Sequence, residues 1–132
     1  MARTHMQIGE VAERTGLSLR TIRYYGEVGL APPTARSQGG FRLYTEDDVA
    51  RLHVIMRMKP LGFSLEEMRE LLEVLDGLAA EETAAPDRGA RLGKLAAYHG
   101  LVEERTAELR ARLADAEGFA GALADALGRH RA

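Results

Sequence analysis

A mostly α-helical chain with one small β element is what the 132-residue sequence predicts, on three observations. Apolar residues recur at spacings of three and four through most of the chain. A single stretch, residues 31–45, carries two prolines, two adjacent glycines and the alternating run Phe41-Arg42-Leu43-Tyr44, which suits a hairpin and not a helix. From Leu92 onward a heptad repeat sets in, the pattern of a long helix that pairs with another.

The elements follow in order. In residues 6–30, Ile8, Val11, Ala12, Leu17, Ile22, Tyr25 and Val28 fall on helical spacings, interrupted at Gly16. Ser18 is an N-cap for a second helix, and a glycine turn between two short helices makes a helix-turn-helix candidate. Gly29 ends the second helix and Pro32-Pro33 forbid its continuation. Thr45 opens a third helix with Asp48 at the reciprocal capping position, and Val49, Leu52, Ile55 and Met56 form its stripe. Pro60 and Gly62 end it. Ser64 and Glu67 repeat the capping pattern before a fourth helix with Leu65, Met68, Leu71, Leu72 and Leu75 inward. Residues 77–90 read as a hinge. Residues 91–117 then carry Leu92, Leu95, His99, Val102, Thr106, Leu109, Leu113 and Ala116 in alternating steps of three and four, with Leu92, Leu95, Val102, Leu109 and Leu113 as the dimerisation contacts. Gly118 and Gly121 are expected to break that helix, leaving 118–132 as a short helix or cap.

Composition narrows the function classes. With 45% apolar and 29% charged residues the chain is an ordinary folding sequence, and no apolar run is long enough to cross a bilayer. No export pattern stands at its start, so the cytoplasm is the expected compartment. Cysteine is absent, which removes disulfides, thiolate nucleophiles and thiolate metal sites. His5, His53, His99 and His130 are scattered without ligand spacing, so neither a metal nor another cofactor is expected. No nucleophile–base pair or phosphate-cradling loop suggests an enzyme. The charge is unevenly placed: residues 1–60 hold nine Lys/Arg against six Asp/Glu, and residues 61–132 hold nine against fourteen. A basic first half beside an acidic second half indicates two tasks.

The second helix would present Ser18, Arg20, Thr21, Arg23 and Tyr24 opposite Ile22. Guanidinium groups pair with phosphate or guanine edges, and hydroxyls donate to phosphate, although a solvated helical pair would show the same face. Arg36, Arg42 and Tyr44 on the adjoining hairpin strengthen the nucleic-acid reading. A basic, aromatic hairpin beside a recognition helix is the wing of a winged-helix module, against the alternative of a plain surface loop.

Taken in series, "IGEVAERTGLSLRTIRYYGEVGL", "GGFRLYTEDDVARL" and "LGFSLEEMRELL" resemble the successive signature segments of the MerR family of bacterial transcription regulators, over residues 6–76. The resemblance implies a winged helix-turn-helix domain at 6–76 followed by a helix that pairs antiparallel in a homodimer. It implies that Arg20 and Thr21 face base edges, that Arg23, Tyr24, Arg42 and Tyr44 hold phosphates, and that Lys59 adds a flanking contact. Tyr25 is more a packing residue. The partner would be double-stranded DNA carrying an inverted repeat within a promoter, distorted so as to control transcription by RNA polymerase. Gly26 and Pro60 depart from the family's usual residues. Metal- and redox-responding members use cysteines near the end of the dimerisation helix, where this sequence has none. The effector is unknown, and the residues after 117 are too few to enclose a pocket within one chain; Phe119, Leu123 and Leu127 are expected to cap the partner's helix, the alternative being a shallow apolar site at the dimer interface. Two other functions fit: an effector-independent repressor or architectural protein, and a coiled-coil interaction module that does not bind DNA.

Overall fold

The computed structural model describes residues 5–80 and 85–131. The chain forms two compact units, Met1–Asp76 and Gly77–Ala132. In the first, β1 (Met6–Gln7) leads into α1 (Ile8–Thr15) and α2 (Leu19–Glu27), then β2 (Ala35–Arg36), β3 (Arg42–Tyr44) and α3 (Glu46–Met58). A 3₁₀ turn at Lys59–Leu61 connects α3 to α4 (Leu65–Ala79). The second unit consists chiefly of α5 (Ala85–Arg131).

Local chemistry starts and stops these helices where the sequence signals lie. Gly16 takes φ 78°, a left-handed conformation that a side chain would resist, and its N–H closes α1 on the Ala12 carbonyl at 2.8 Å. Thr45 caps α3 through a complete capping box: its N–H donates to Asp48 Oδ2 (2.9 Å) and its hydroxyl accepts from the Asp48 N–H (3.3 Å). Ser64 and Glu67 do the same for α4, at 2.9 and 3.0 Å.

The sheet has the order β1-β3-β2, all antiparallel. The hairpin pairs Ala35 with Leu43 and Arg36 with Arg42, as expected of the Pro/Gly-rich stretch. The third strand was not expected: Met6 and Gln7, read as the head of the first helix, pair with Tyr44 and Leu43. That pairing makes β3 the central strand of the sheet.

Val11, Ile22, Leu30, Leu52 and Ile55 are fully buried, and each such side chain contributes about 1.5–3 kcal/mol relative to exposure. The α3 stripe runs Val49, Leu52, Ile55 and Met58; the last replaces Met56, which is half-buried. In α4 the buried residues are Met68, Leu72 and Val74. Two guanidinium groups reach across this unit. Arg51 of α3 donates to the Leu30 carbonyl and to both oxygens of Asp76, at 3.1 and 2.8 Å. Arg69 of α4 donates to the Val28 carbonyl at 2.6 Å. The end of α2 is therefore held by side chains from two other helices.

Two expected boundaries are corrected. Helix covers both ends of the expected 77–90 hinge, because α4 continues to Ala79 and α5 starts at Ala85; residues 81–84 lie outside the described ones. Pro86 stands in the first turn of α5, where no helical N–H is required. The break expected at 118–121 does not occur, and α5 runs unbroken for 47 residues. Gly118 and Gly121 each lower helix stability by about 1 kcal/mol, but unlike proline they keep the N–H and add no clash, and strong helix formers flank them.

Candidate nucleic-acid interface

The helical pair is fixed at its turn. Thr15 Oγ1 donates to the Val11 carbonyl at 2.8 Å and accepts the Leu17 N–H at 3.2 Å. Ser18 caps α2, its hydroxyl accepting the Thr21 N–H at 3.0 Å and donating to Thr21 Oγ1 at 2.9 Å. The periodicity of α2 then turns Ile22 and Tyr25 into the core and leaves Arg20, Arg23 and Tyr24 exposed. Tyr24 is 44% exposed while its ring leans on that of Tyr25, centroids 5.9 Å apart. Arg20 and Arg23 therefore project from a face whose back is locked in the core.

The wing is equally rigid. At its turn the Ser37 N–H donates to the Phe41 carbonyl (2.9 Å), the Gly40 N–H to the Ser37 carbonyl (2.9 Å), and the Phe41 N–H to Ser37 Oγ (3.1 Å). Arg36 Nη1 donates to the Gly40 carbonyl at 3.1 Å, bracing the turn from one strand. Thr34 ties the base of the wing to Asp48 in the α3 capping box.

Tyr44 overturns an expectation. The family resemblance implied that it holds a phosphate along with Arg42, yet it is 0% exposed. Its side chain is turned to the core side of the sheet, where α1 packs against β3. The buried hydroxyl has no hydrogen-bond partner among the described residues. Burial raises the phenol above its ordinary value, opposed by the positive charges of Arg42, Arg36 and Arg23, with Asp48 pushing the same way as burial. Arg36 and Arg42 stand opposite each other across the hairpin.

The other expected residues fall as follows. Arg42 is half-buried at the start of β3, and Lys59 is exposed at the end of α3. Phe41 at the tip of the wing, 63% exposed, was passed over; its place just after two turn glycines was the available signal. On α5, Leu92, Leu109 and Leu113 are 47%, 41% and 58% exposed, while Leu95 and Val102 are half-buried. Arg14 and Glu46 form a two-pronged ion pair between α1 and α3, with Arg14 Nη2 to Glu46 Oε1 at 2.6 Å. Hydrogen bonding to Arg14 lowers the Glu46 carboxyl below its ordinary range and raises Arg14. Among the described residues no three His, Asp or Glu side chains gather as a metal site, and no helix is long and apolar enough to cross a membrane.

Fold and face together define a winged helix-turn-helix module with a basic reading surface. Comparison with known proteins agrees. The family profile "MerR HTH family regulatory protein" matches residues 6–75, and the profile "MerR, DNA binding" matches residues 49–126. The HTH-type transcriptional regulator ZntR of Escherichia coli (strain K12) is 36% identical over 117 residues, 89% of this chain and 74% of that protein. The mercuric resistance operon regulatory protein of Bacillus cereus is 47% identical over 70 residues, 53% of each protein, so the chain spans about half of that relative. The crystal structure of HiNmlR, a MerR family regulator lacking the sensor domain, bound to promoter DNA, superposes with a TM-score of 0.69 at 25% identity, covering 94% of this chain and 93% of that one. The chain belongs to the MerR family of transcription regulators.

Proposed function

We propose that this protein acts as a homodimer in the bacterial cytoplasm, binding an inverted repeat within a promoter and distorting the DNA so as to control transcription by RNA polymerase. The observation that carries the reading is the exposed line Arg20, Arg23 and Tyr24 on α2, its back locked in the core, followed by a wing on which Arg36 and Arg42 stand opposite each other. Arg20 and Thr21 are assigned to base edges, and Arg23, Tyr24 and Arg42 to phosphates, with Lys59 as a flanking contact. Ser18 and Arg36 serve chiefly to shape the cap and the wing. Two modules joined through α5 would offset the several kcal/mol that bending a promoter requires, because phosphate contacts on both half-sites are made together. The protein performs no covalent chemistry in this scheme.

The superposition on a family regulator lacking the sensor domain favours a second reading, regulation without a bound effector. These 132 residues hold no cysteine, so they supply no thiolate metal site as a trigger. Footprinting of the purified, ligand-free protein on DNA upstream of its own gene tests both readings. Protection of an inverted repeat with enhanced cleavage at its centre is the expected result. Absence of any salt-dependent DNA affinity would instead leave a coiled-coil interaction module.

A further inference from the structure

After proline, glycine is the poorest helix former, and α4 carries one in its last turn, Gly77. The space beside it is taken. A Cβ there would lie 2.7 Å from both Cδ and Cζ of Arg91, and closer still to Nε, so the Arg91 side chain lies directly on the Gly77 backbone. Among the described glycines no other would bring a Cβ within 3 Å of a neighbour, and those of α5 meet open space. The place suits a guanidinium. The carbonyl end of a helix favours a cation, and α4 has no basic residue of its own in that turn. Arg91, half-buried on α5, supplies the charge. One residue earlier, Asp76 accepts from Arg51 Nη1 at 3.1 and 2.8 Å, and Nε of the same guanidinium donates to the Leu30 carbonyl beyond the end of α2. Neighbouring residues of one turn thus meet two guanidinium groups. Arg51 ties that turn to the trailing end of the helix assigned to base reading, and Arg91 ties it to the helix assigned to dimerisation.

We propose, on the homodimer reading above, that Arg51 and Arg91 are positioning residues that fix the last turn of α4, and that this fixing selects the separation of half-sites the dimer accepts on DNA. Adding one base pair at the centre of an inverted repeat moves its half-sites apart by about 3.4 Å and turns one relative to the other by about 34°. A dimer whose α4 yields at Asp76 and Gly77 follows that change. One whose last turn is fixed binds the altered site weakly. In this role neither guanidinium touches DNA, so both act on spacing and leave the recognition of a single half-site alone.

Gly77 gives a test that leaves the fold standing. The atoms in its space are the far end of a flexible side chain, and alanine is the better helix former, so Gly77→Ala displaces Arg91 without unfolding α4. Asp76→Ala releases α4 from Arg51 while the hydrogen bond to Leu30 remains. The full-length proteins are titrated by fluorescence anisotropy against four DNA fragments: the inverted repeat found by footprinting, the same repeat with one base pair added or removed at its centre, and a single half-site. Wild type should prefer the native spacing by about tenfold or more. Gly77→Ala, Arg91→Ala and Asp76→Ala should each reduce that preference by about fivefold or more. Their half-site affinity should stay within about twofold of wild type. The double variant Gly77→Ala, Arg91→Ala should be no worse than either single one, because both remove the same contact. Unchanged preference in Gly77→Ala and Arg91→Ala would overturn the role of Arg91, and in Asp76→Ala that of Arg51. Half-site affinity falling in step with affinity for the repeat would overturn both, since it marks damage to the module itself. A wild type that binds one half-site as tightly as the repeat at every spacing would instead remove the homodimer reading.

Discussion

Replacing Tyr44 with Phe separates the two roles that the wing tyrosine could have. The side chain is fully buried and its hydroxyl lacks a partner among the described residues. A buried polar group without a hydrogen bond is destabilising by about 1–3 kcal/mol, and phenylalanine keeps the ring and its packing while removing only that oxygen. Tyr44→Phe should therefore stabilise the N-terminal unit by about 1 kcal/mol, which for a unit of this size raises Tm by about 4–8 °C. Thermal unfolding by circular dichroism measures this, and fluorescence anisotropy on a promoter fragment should show DNA affinity unchanged within about twofold, well under the tenfold that 1.4 kcal/mol represents. A second signature lies at high pH. Burial holds the phenol protonated above its ordinary value of 10.0, so stability is intact below that value. As pH rises further the unfolded chain ionises first, and the wild type loses stability that the variant retains. A loss of stability in Tyr44→Phe, or a tenfold loss of DNA affinity, would refute the reasoning and restore the tyrosine to the DNA-contacting set.

Arg23→Ala and Arg42→Ala should each weaken binding to all sequences and reduce the slope of log affinity against log salt by about one, measured by anisotropy titrations at several salt concentrations. Arg20→Ala should change sequence preference in a selection from randomised half-sites. Ser18→Ala should lower stability by about 1 kcal/mol through loss of the cap, whereas Ser18→Asp should keep the cap, as urea unfolding of both variants would show. The Arg14–Glu46 pair gives a pH dependence: the Glu46 carboxyl is depressed in the folded protein, so its stabilisation is present above the ordinary 4.5 and is lost as pH falls through the depressed value. Glu46→Gln should accordingly be less stable than wild type near neutrality, and the two melting curves should converge on acidification.

What was legible in the sequence was local. The caps at Ser18, Thr45 and Ser64 each join residues three apart and can be read directly, as can the turn glycine at position 16. The exposed line of α2 followed from its period. Contacts between distant segments were not legible. Nothing near Tyr44 announces that Met6 will pair with it, nor that α1 will pack against β3 and leave the tyrosine in the core. Arg51 looked like an ordinary charge on α3, because its partners Leu30 and Asp76 lie 21 and 25 residues away. The error at 118–121 had another origin: two glycines were given the weight of prolines, although each alters helix stability by only about 1 kcal/mol.

The anchoring of α2 bears on how such a protein can change its target. Val28 and Leu30, at the trailing end of the helix, are gripped by Arg69 and Arg51, and Ile22 and Tyr25 are sunk in the core. None of these holds falls on Arg20, Arg23 or Tyr24. On the proposed reading the mounting and the lettering are thus separate parts: Arg20 can be exchanged for another residue, and the operator re-spelled, while the frame that keeps the helix at its angle stays as it is.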